Sequence, residues 1–208
     1  MRNFFINILF SLPIWLIEIL YKFKKDIKRG YIFDSQSRML FSLMPKFELH
    51  KVKEEEIPKI RNLIIEKRIN LRLSKKTKKK IEIKDHLIDK KNNLKLREYS
   101  PYVTDNENVI LYFHGGGYVL NSIETHHLTV SYFSEKLRTR IFSLAYSLSP
   151  ENKFPQAKNE ALLAINWLNK NGYQMKNINL CGDSAGAHLA ASTSHSLAKE
   201  NRDNINSQ

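Results

Sequence analysis

Cysteine and recognisable cofactor-binding motifs are scarce in this sequence. Only one of the 208 residues is a cysteine, Cys181, so no disulfide can form within the chain, and a reducing compartment suits it. Because Cys181 ends an apolar run, the pattern predicts a small core residue rather than a reactive thiol. No pattern indicates a metal or an organic cofactor, and the lysine and serine or threonine of a phosphate-binding loop are missing. We therefore expect neither a cofactor nor a metal.

Acidic residues are also in deficit, and the formal net charge is +13. A basic surface attracts phosphate groups, which raises the question of a nucleic-acid partner. The densest basic run, residues 74–80, holds five lysines but no aromatic side chain on which bases stack, and no recognition module accompanies it. We interpret the charge as spread over solvated faces. The prediction is no nucleic-acid partner, with a weak contact to an anionic membrane surface left open.

The amino-terminal segment, residues 4–21, is apolar over the length of a membrane span. Asn7, Ser11 and Glu18 fall on one helical face, so the segment is amphipathic, and a helix over 14–23 is predicted. A helix packed on the domain or lying at a membrane surface, a membrane anchor and an export signal stay open, although no small-residue cleavage site is present. The basic residues that follow favour a cytoplasmic location, with membrane association through this helix as an option.

Periodicity divides the chain into a helical region over 1–78, predicted to be a cap or membrane-surface segment, and an α/β core over 79–208. Helical spacing dominates 30–77, whereas the later segments alternate between strand and helix patterns. The predicted strands are 80–88, 94–99, 109–113, 141–146 and 178–181, and the predicted core helices are 125–137, 157–169 and 185–199. Strands that alternate with helices pair in parallel through crossovers, so the fold class is α/β.

The pentapeptide Gly182-Asp183-Ser184-Ala185-Gly186 has the Gly-x-Ser-x-Gly pattern. It lies between a short apolar strand and an alanine-rich helix, which is the context of a nucleophile elbow. The glycines leave room where a Cβ atom would clash with the tight turn. Ser184 is therefore predicted as a nucleophile, and the alternative is a serine that caps a helix.

A second glycine-rich segment, His114-Gly115-Gly116-Gly117, follows another buried strand. The backbone N–H groups of Gly115 and Gly116, with that of Ala185, are predicted to form an oxyanion hole for a carbonyl attacked by Ser184. His114 and Gly117 support the loop. A tight glycine turn without a catalytic role is the alternative.

Three blocks match one family in order and spacing: residues 114–118, residues 146–151 with 154–157, and residues 182–186. Over about residues 80 to 200 the chain resembles the hormone-sensitive-lipase-like group of α/β-hydrolases, which are carboxylesterases and lipases. The resemblance implies the amino-terminal part of an α/β-hydrolase sheet, with about five mostly parallel strands and a helical cap. It also implies a small ester or acylglycerol substrate and a reaction without cofactors.

The sequence departs from this family at several positions. Ser147 and Ser149 stand where arginine and alanine are usual, and Ala187-His188 replaces Gly-Asn. The triad acid and histidine are not found, because only 24 residues follow Ser184. His188 and His195 lie on the helix that leads away from the elbow, which makes them poor candidates for the base. The chain is thus expected to be truncated after the nucleophile helix.

Two functions follow from this expectation. The first is an esterase, or part of one, in which a second polypeptide supplies the missing strands, acid and base. That polypeptide would also cover the strand that carries Ser184, which is expected to be an unpaired apolar edge. The second is a catalytically inactive fragment that acts as a lipid-surface or protein-interaction module.

Overall fold

The computed structural model describes residues 12–21, 27–28, 31–32, 34–43, 52–72, 81–104, 107–199 and 205–207. The chain divides into two compact units, Met1–Val52 and Lys53–Gln208. The division lies upstream of the boundary suggested by the sequence at 78/79, because the last amino-terminal helix belongs with the α/β core. Within the described residues, no helix combines the length and apolar character that crossing a membrane requires.

In its described residues, the first unit contains the helices α1 (Ile14–Tyr21) and α2 (Ser35–Leu43) and a short hairpin of β1 (Ile27–Lys28) and β2 (Tyr31–Ile32). Ile17 on α1 and Met39 on α2 are fully buried. The predicted helix over 14–23 begins where expected and extends to Tyr21, and positions 22–23 lie outside the described residues. Three large apolar side chains of α1 remain exposed, namely Ile14, Trp15 and Ile19.

The second unit begins with a 3₁₀ turn and the helix α3 (Ile57–Arg72), and its described residues continue with five strands and three further α-helices. The strands are β3 (Ile81–Asp89), β4 (Leu94–Pro101), β5 (Val109–Phe113), β6 (Arg140–Leu144) and β7 (Ile178–Gly182). The helices are α4 (His127–Leu137), α5 (Gln156–Lys170) and α6 (Ala185–Lys199). Each core strand and helix predicted from the sequence is present, and its bounds differ from the predicted ones by at most a few residues.

The five strands form one sheet in the order β3-β4-β6-β5-β7. The β3–β4 and β4–β6 pairs are antiparallel, and the β6–β5 and β5–β7 pairs are parallel. Four of the five strands therefore run in one direction, and only β4 is reversed. The α/β fold class and the strand count predicted from the sequence are confirmed.

Helices cover both faces of the sheet. On one face α5 and α6 pack their apolar side against β5, β6 and β7, and this core includes Leu111, Phe142 and Ile165. On the other face Val130 of α4 packs with Tyr99, Tyr112 and Ile141. The carboxyl ends of the parallel strands β5 and β7 consequently meet at one edge, which is where ligands bind in open α/β sheets.

The outer edge of β7 is not wholly unpaired, contrary to the sequence expectation. The Leu180 N–H donates to Ser207 O and the Asn206 N–H donates to Ile178 O, both at 2.8 Å, and the bridge is parallel. Residues 205–207 thus lie along the outer edge of β7 and run parallel to it.

The prediction that Cys181 is a core residue is wrong, because its side chain is exposed. Along β7 Ile178 and Leu180 are buried against α5 and α6, so Cys181 points to the opposite face of the sheet. There α4 packs mainly against β4 and β6, and the last strand is left accessible.

Candidate active site

Ser184 lies at the turn between β7 and α6, with its side chain exposed. Its φ angle is +52°, the left-handed region that non-glycine residues seldom adopt. The turn is tight: a Cβ atom on Gly186 would overlap the carbonyl oxygen of Phe113, and one on Gly182 would lie 2.5 Å from the carbonyl carbon of Gly186. Strand, strained serine and helix therefore follow one another as a nucleophile elbow requires.

The glycine-rich loop after β5 also depends on positive φ angles, which are +131° at Gly116, +64° at Gly117 and +62° at Tyr118. The turn closes through the N–H groups of Val119 and Leu120, which both donate to Gly116 O. A Cβ atom at Gly116 would overlap the Leu120 carbonyl oxygen. The loop thus turns back beside the end of β5, next to the elbow.

Asp183 connects the elbow to this loop. Its Oδ1 accepts hydrogen bonds from the Gly115 N–H and the Tyr112 hydroxyl, each at 2.8 Å, and lies 3.4 Å from His126 Nε2. Burial alone would raise the pKa of Asp183, but these hydrogen bonds and the nearby His126 lower it below its usual range. The sequence identified Asp183 as part of the motif but predicted no contact for it. Its partner Tyr112 lies on another strand, 71 positions earlier in the chain.

Some backbone N–H groups of the loop and the elbow are hydrogen-bonded within the protein, and others are not. Gly115 N–H is occupied by Asp183, although the sequence assigned it to the oxyanion hole. Among the residues that the structure describes, the N–H groups of Gly116, Gly117 and Ala185 have no hydrogen-bond acceptor. Unpaired backbone donors that face a substrate site are able to bind an anionic oxygen.

His114 is buried beneath the loop. Its ring stacks on Tyr146 with centroids 4.4 Å apart, and its Nδ1 donates to Gly115 O at 2.9 Å. The Tyr146 hydroxyl in turn donates to His114 O. Burial lowers the pKa of His114 to about 4, so the ring is neutral near pH 7.

The histidines near the elbow have other partners. His188 Nδ1 and the Tyr118 hydroxyl share a hydrogen bond of 2.7 Å, and His195 is exposed two turns further along α6. Nowhere in the described part of the chain does a hydrogen bond join Ser184 Oγ to an imidazole. Among the same residues, no three His, Cys, Asp or Glu side chains are grouped so that they could hold a metal ion.

A cavity of about 320 Å³ opens beside the loop and α6. Its walls combine apolar and polar side chains, including Tyr118, Phe154, Lys158, His188 and Leu189. Gly117 forms part of its rim. The volume matches that of a small-molecule pocket.

The unusual Ser147 has a partner that sequence reasoning missed. Its N–H and hydroxyl donate to the two carboxylate oxygens of Glu160, both at 2.6 Å, and Gln156 Nε2 donates at 2.8 Å. Glu160 is only 1% exposed. A glutamate within an amphipathic helix resembles a surface residue, so the pattern gave no signal for this role.

The comparisons with known proteins agree with this geometry. Residues 110–208 match the α/β hydrolase fold family. Over 133 residues the chain is 35% identical to an arylesterase of Saccharolobus solfataricus, which covers 62% of this chain and 41% of that enzyme. A hyperthermophilic esterase from the archaeon Pyrobaculum calidifontis superposes with a TM-score of 0.62 at 27% identity, covering 72% of this chain and 50% of its own.

A solved esterase from the bacterial hormone-sensitive lipase family superposes with a TM-score of 0.59 at 26% identity, over 74% of this chain and 56% of its own. The chain therefore has the α/β hydrolase fold. The chain is similar to esterases of that fold, among them a solved esterase of the bacterial hormone-sensitive lipase family. It spans about two fifths of the arylesterase and about half of the two solved esterases.

Proposed function

We propose that this chain carries the nucleophile and the oxyanion hole of a carboxylic-ester hydrolase. The observation that carries the proposal is the left-handed φ angle of Ser184 at the exposed turn between β7 and α6. In this role Ser184 Oγ attacks the ester carbonyl, the alcohol leaves, and water then releases the acid from the acyl-enzyme. The family and the esterase relatives support the same reaction class.

The oxyanion hole is proposed to consist of the N–H groups of Gly116, Gly117 and Ala185. These donors have no acceptor among the described residues, whereas the Gly115 N–H is held by Asp183. Gly115 therefore acts as the fixed point of the loop rather than as a donor to the substrate. Removal of one oxyanion donor typically costs about 100-fold to 1000-fold in rate.

The general base and the triad acid are proposed to come from polypeptide outside the described residues. His188 is engaged with Tyr118, and His114 is buried under the loop. A second polypeptide able to supply both groups would add strands beside residues 205–207, which already continue the sheet past β7. Without a base, the serine hydroxyl is a weak nucleophile at neutral pH.

The proposed substrate is a small ester or an acylglycerol. The cavity of about 320 Å³ next to Gly117 would hold one side of such an ester, with Tyr118, Phe154 and Leu189 against its carbon chain. Residues 1–78 are proposed to be a helical cap or a membrane-surface segment.

The test uses imidazole as an external base. Hydrolysis of p-nitrophenyl acetate is followed for the wild-type chain and for Ser184→Ala over a series of imidazole concentrations. The variant is needed because imidazole cleaves this ester unaided. We expect a low rate without imidazole, and with it a rate above that of Ser184→Ala, because the oxyanion hole alone retains part of the catalytic power. Equal rates at every concentration would contradict the proposal.

A second candidate function, binding to a lipid surface, is favoured by the exposed apolar side chains of α1. Ile14, Trp15 and Ile19 are 58%, 61% and 54% exposed, and lysines at 22, 24 and 25 follow in the sequence. Co-sedimentation with anionic and neutral vesicles tests it. Binding to anionic vesicles that Trp15→Ala weakens is expected, and equal binding of both proteins would exclude this role for α1.

A further inference from the structure

Arg61 on α3 is bound to two loops of the candidate site. Its Nε donates to Val119 O at 2.6 Å, and its Nη2 donates to Ser149 O at 2.5 Å. The same guanidinium forms a paired contact with the Glu151 carboxylate at 2.8 and 2.9 Å. The Arg61 side chain is 16% exposed and that of Glu151 is 44% exposed, so the two carbonyl contacts are partly buried whereas the ion pair is open to water.

The two loops also contact each other. Ser149 N–H donates to Tyr118 O at 2.8 Å, one residue before the carbonyl that Arg61 holds. Val119 belongs to the turn that sets the orientation of the Gly116 and Gly117 N–H groups. Arg61 therefore joins the helix α3, the oxyanion loop and residues 149–151 at a single point.

The guanidinium suits this role because its N–H donors are arranged in a rigid plane. A lysine at the same place would supply a point charge that satisfies these acceptors poorly. The hydrogen bond from Arg61 also lowers the pKa of the Glu151 carboxyl group below its usual value. One side chain thus binds a backbone carbonyl oxygen in each of the two loops.

We propose that Arg61 is a positioning residue that holds the oxyanion loop in its catalytic geometry through the carbonyls of Val119 and Ser149. Only the expected effect of Arg61 on the catalytic rate rests on the proposed function. The effect on the loop itself is independent of catalysis, because it concerns the backbone hydrogen bonds of residues 116–120 and 149.

The first experiment measures amide hydrogen exchange in Arg61→Met, Arg61→Lys and wild type. The reporters are the amides of Val119, Leu120 and Ser149, whose hydrogen bonds close the two loops. We expect exchange at least about 10-fold faster in Arg61→Met and an intermediate increase in Arg61→Lys, because loop opening becomes easier. Amides of β4 serve as the internal reference and are expected to be unchanged.

Lys59→Met is the matched control, since Lys59 is an exposed cation on the same helix. Its exchange is expected to equal that of wild type. Unchanged loop exchange in Arg61→Met would overturn the proposal, and so would an equal acceleration in the loops and in β4, which would indicate a general loss of stability. If Arg61→Met does not fold, Glu151→Gln provides the test, with a smaller acceleration confined to the same amides.

The second experiment measures the Ser184-dependent, imidazole-supported rate in the same variants. A reduction of roughly 10-fold to 100-fold is expected for Arg61→Met, because small displacements of a catalytic group have effects of this size. A wild-type rate in an Arg61→Met protein with faster loop exchange would refute the catalytic part alone. Absence of any Ser184-dependent rate in wild type would count against the proposed function and leave the exchange result to decide on the role of Arg61.

Discussion

The Gly115 N–H donates to Asp183 Oδ1 at 2.8 Å across 68 positions of sequence, and this hydrogen bond joins the two glycine-rich segments. Glycine is needed for this contact, because a Cβ atom on Gly115 would overlap the Asp183 carboxylate. Tyr112 donates to the same oxygen from β5. The aspartate beside Ser184, the proposed nucleophile, thus connects the elbow to the loop.

Asp183→Ala is predicted to reduce the Ser184-dependent, imidazole-supported rate by about 10-fold to 100-fold, since the loop loses its connection to the elbow. Asp183→Asn is the matched control, because its amide oxygen accepts from Gly115 and Tyr112 at the same position. A rate within a few-fold of wild type is expected for this variant. Similar losses in both variants would indicate that the negative charge matters rather than the hydrogen-bond geometry.

Gly186→Ala is predicted to destabilise the fold more than Gly117→Ala. A Cβ atom at Gly186 would overlap the Phe113 carbonyl oxygen and lie 2.8 Å from His114 O, so the variant is expected to cost about 3 kcal/mol or more in unfolding free energy. Gly117 has open space, and its φ of +64° leaves a conformational cost of about 1–2 kcal/mol. Urea denaturation of both variants measures the difference, and the opposite order would contradict the tight packing of elbow against loop.

The stability of the chain is predicted to fall between pH 6.5 and pH 4 because of His114. The pKa of this ring is about 4 in the folded state against 6.5 for an ordinary histidine. The unfolded chain therefore binds more protons in this interval, and the free energy of unfolding decreases as the pH falls. The expected loss is about 2 kcal/mol between pH 7.5 and pH 5.

Urea unfolding at the two pH values measures this loss. His114→Gln is the comparison, since it removes the titrating ring. Its unfolding free energy is expected to change less over the same interval, whatever its absolute stability. An equal pH dependence in the two proteins would assign the loss to other groups.

Asn206→Pro is predicted to expose the edge of β7 and to promote aggregation. Proline removes the N–H that donates to Ile178 O at 2.8 Å, and an unpaired apolar strand is a template for other chains. Asn206→Ala keeps this N–H and loses only the side-chain contact to Asn179 Oδ1. Light scattering during heating compares the variants. Aggregation of both at one temperature would mean that the backbone pairing does not protect the edge.

Local sequence patterns were sufficient to predict the strands and helices of the core and the turn that carries Ser184. The run 109–113 predicted β5 without error, since an uninterrupted apolar stretch before glycines is typical of a strand buried on both faces. Likewise, the helix after Ser184 was predicted from its alanines and ends at Lys199 as expected. These features depend on residues close to one another in sequence, which is why the sequence was informative.

Contacts between distant segments were not predictable in this way. Burial of Glu160 under Ser147, exposure of Cys181 and use of the Gly115 N–H by Asp183 each depend on which strand lies beside which. No local pattern encodes this order, because sheet neighbours such as β4 and β6 are separated by a whole crossover.

The amino-acid sequence by itself determined the fold class, the strand and helix order and the position of the candidate nucleophile, because periodicity and glycine placement are local properties. Only the tertiary structure decided which backbone donors remain free around Ser184 and that Arg61 reaches Val119 and Ser149. A hydrogen bond depends on distance and direction in space, and these are defined only once strands and helices have packed together.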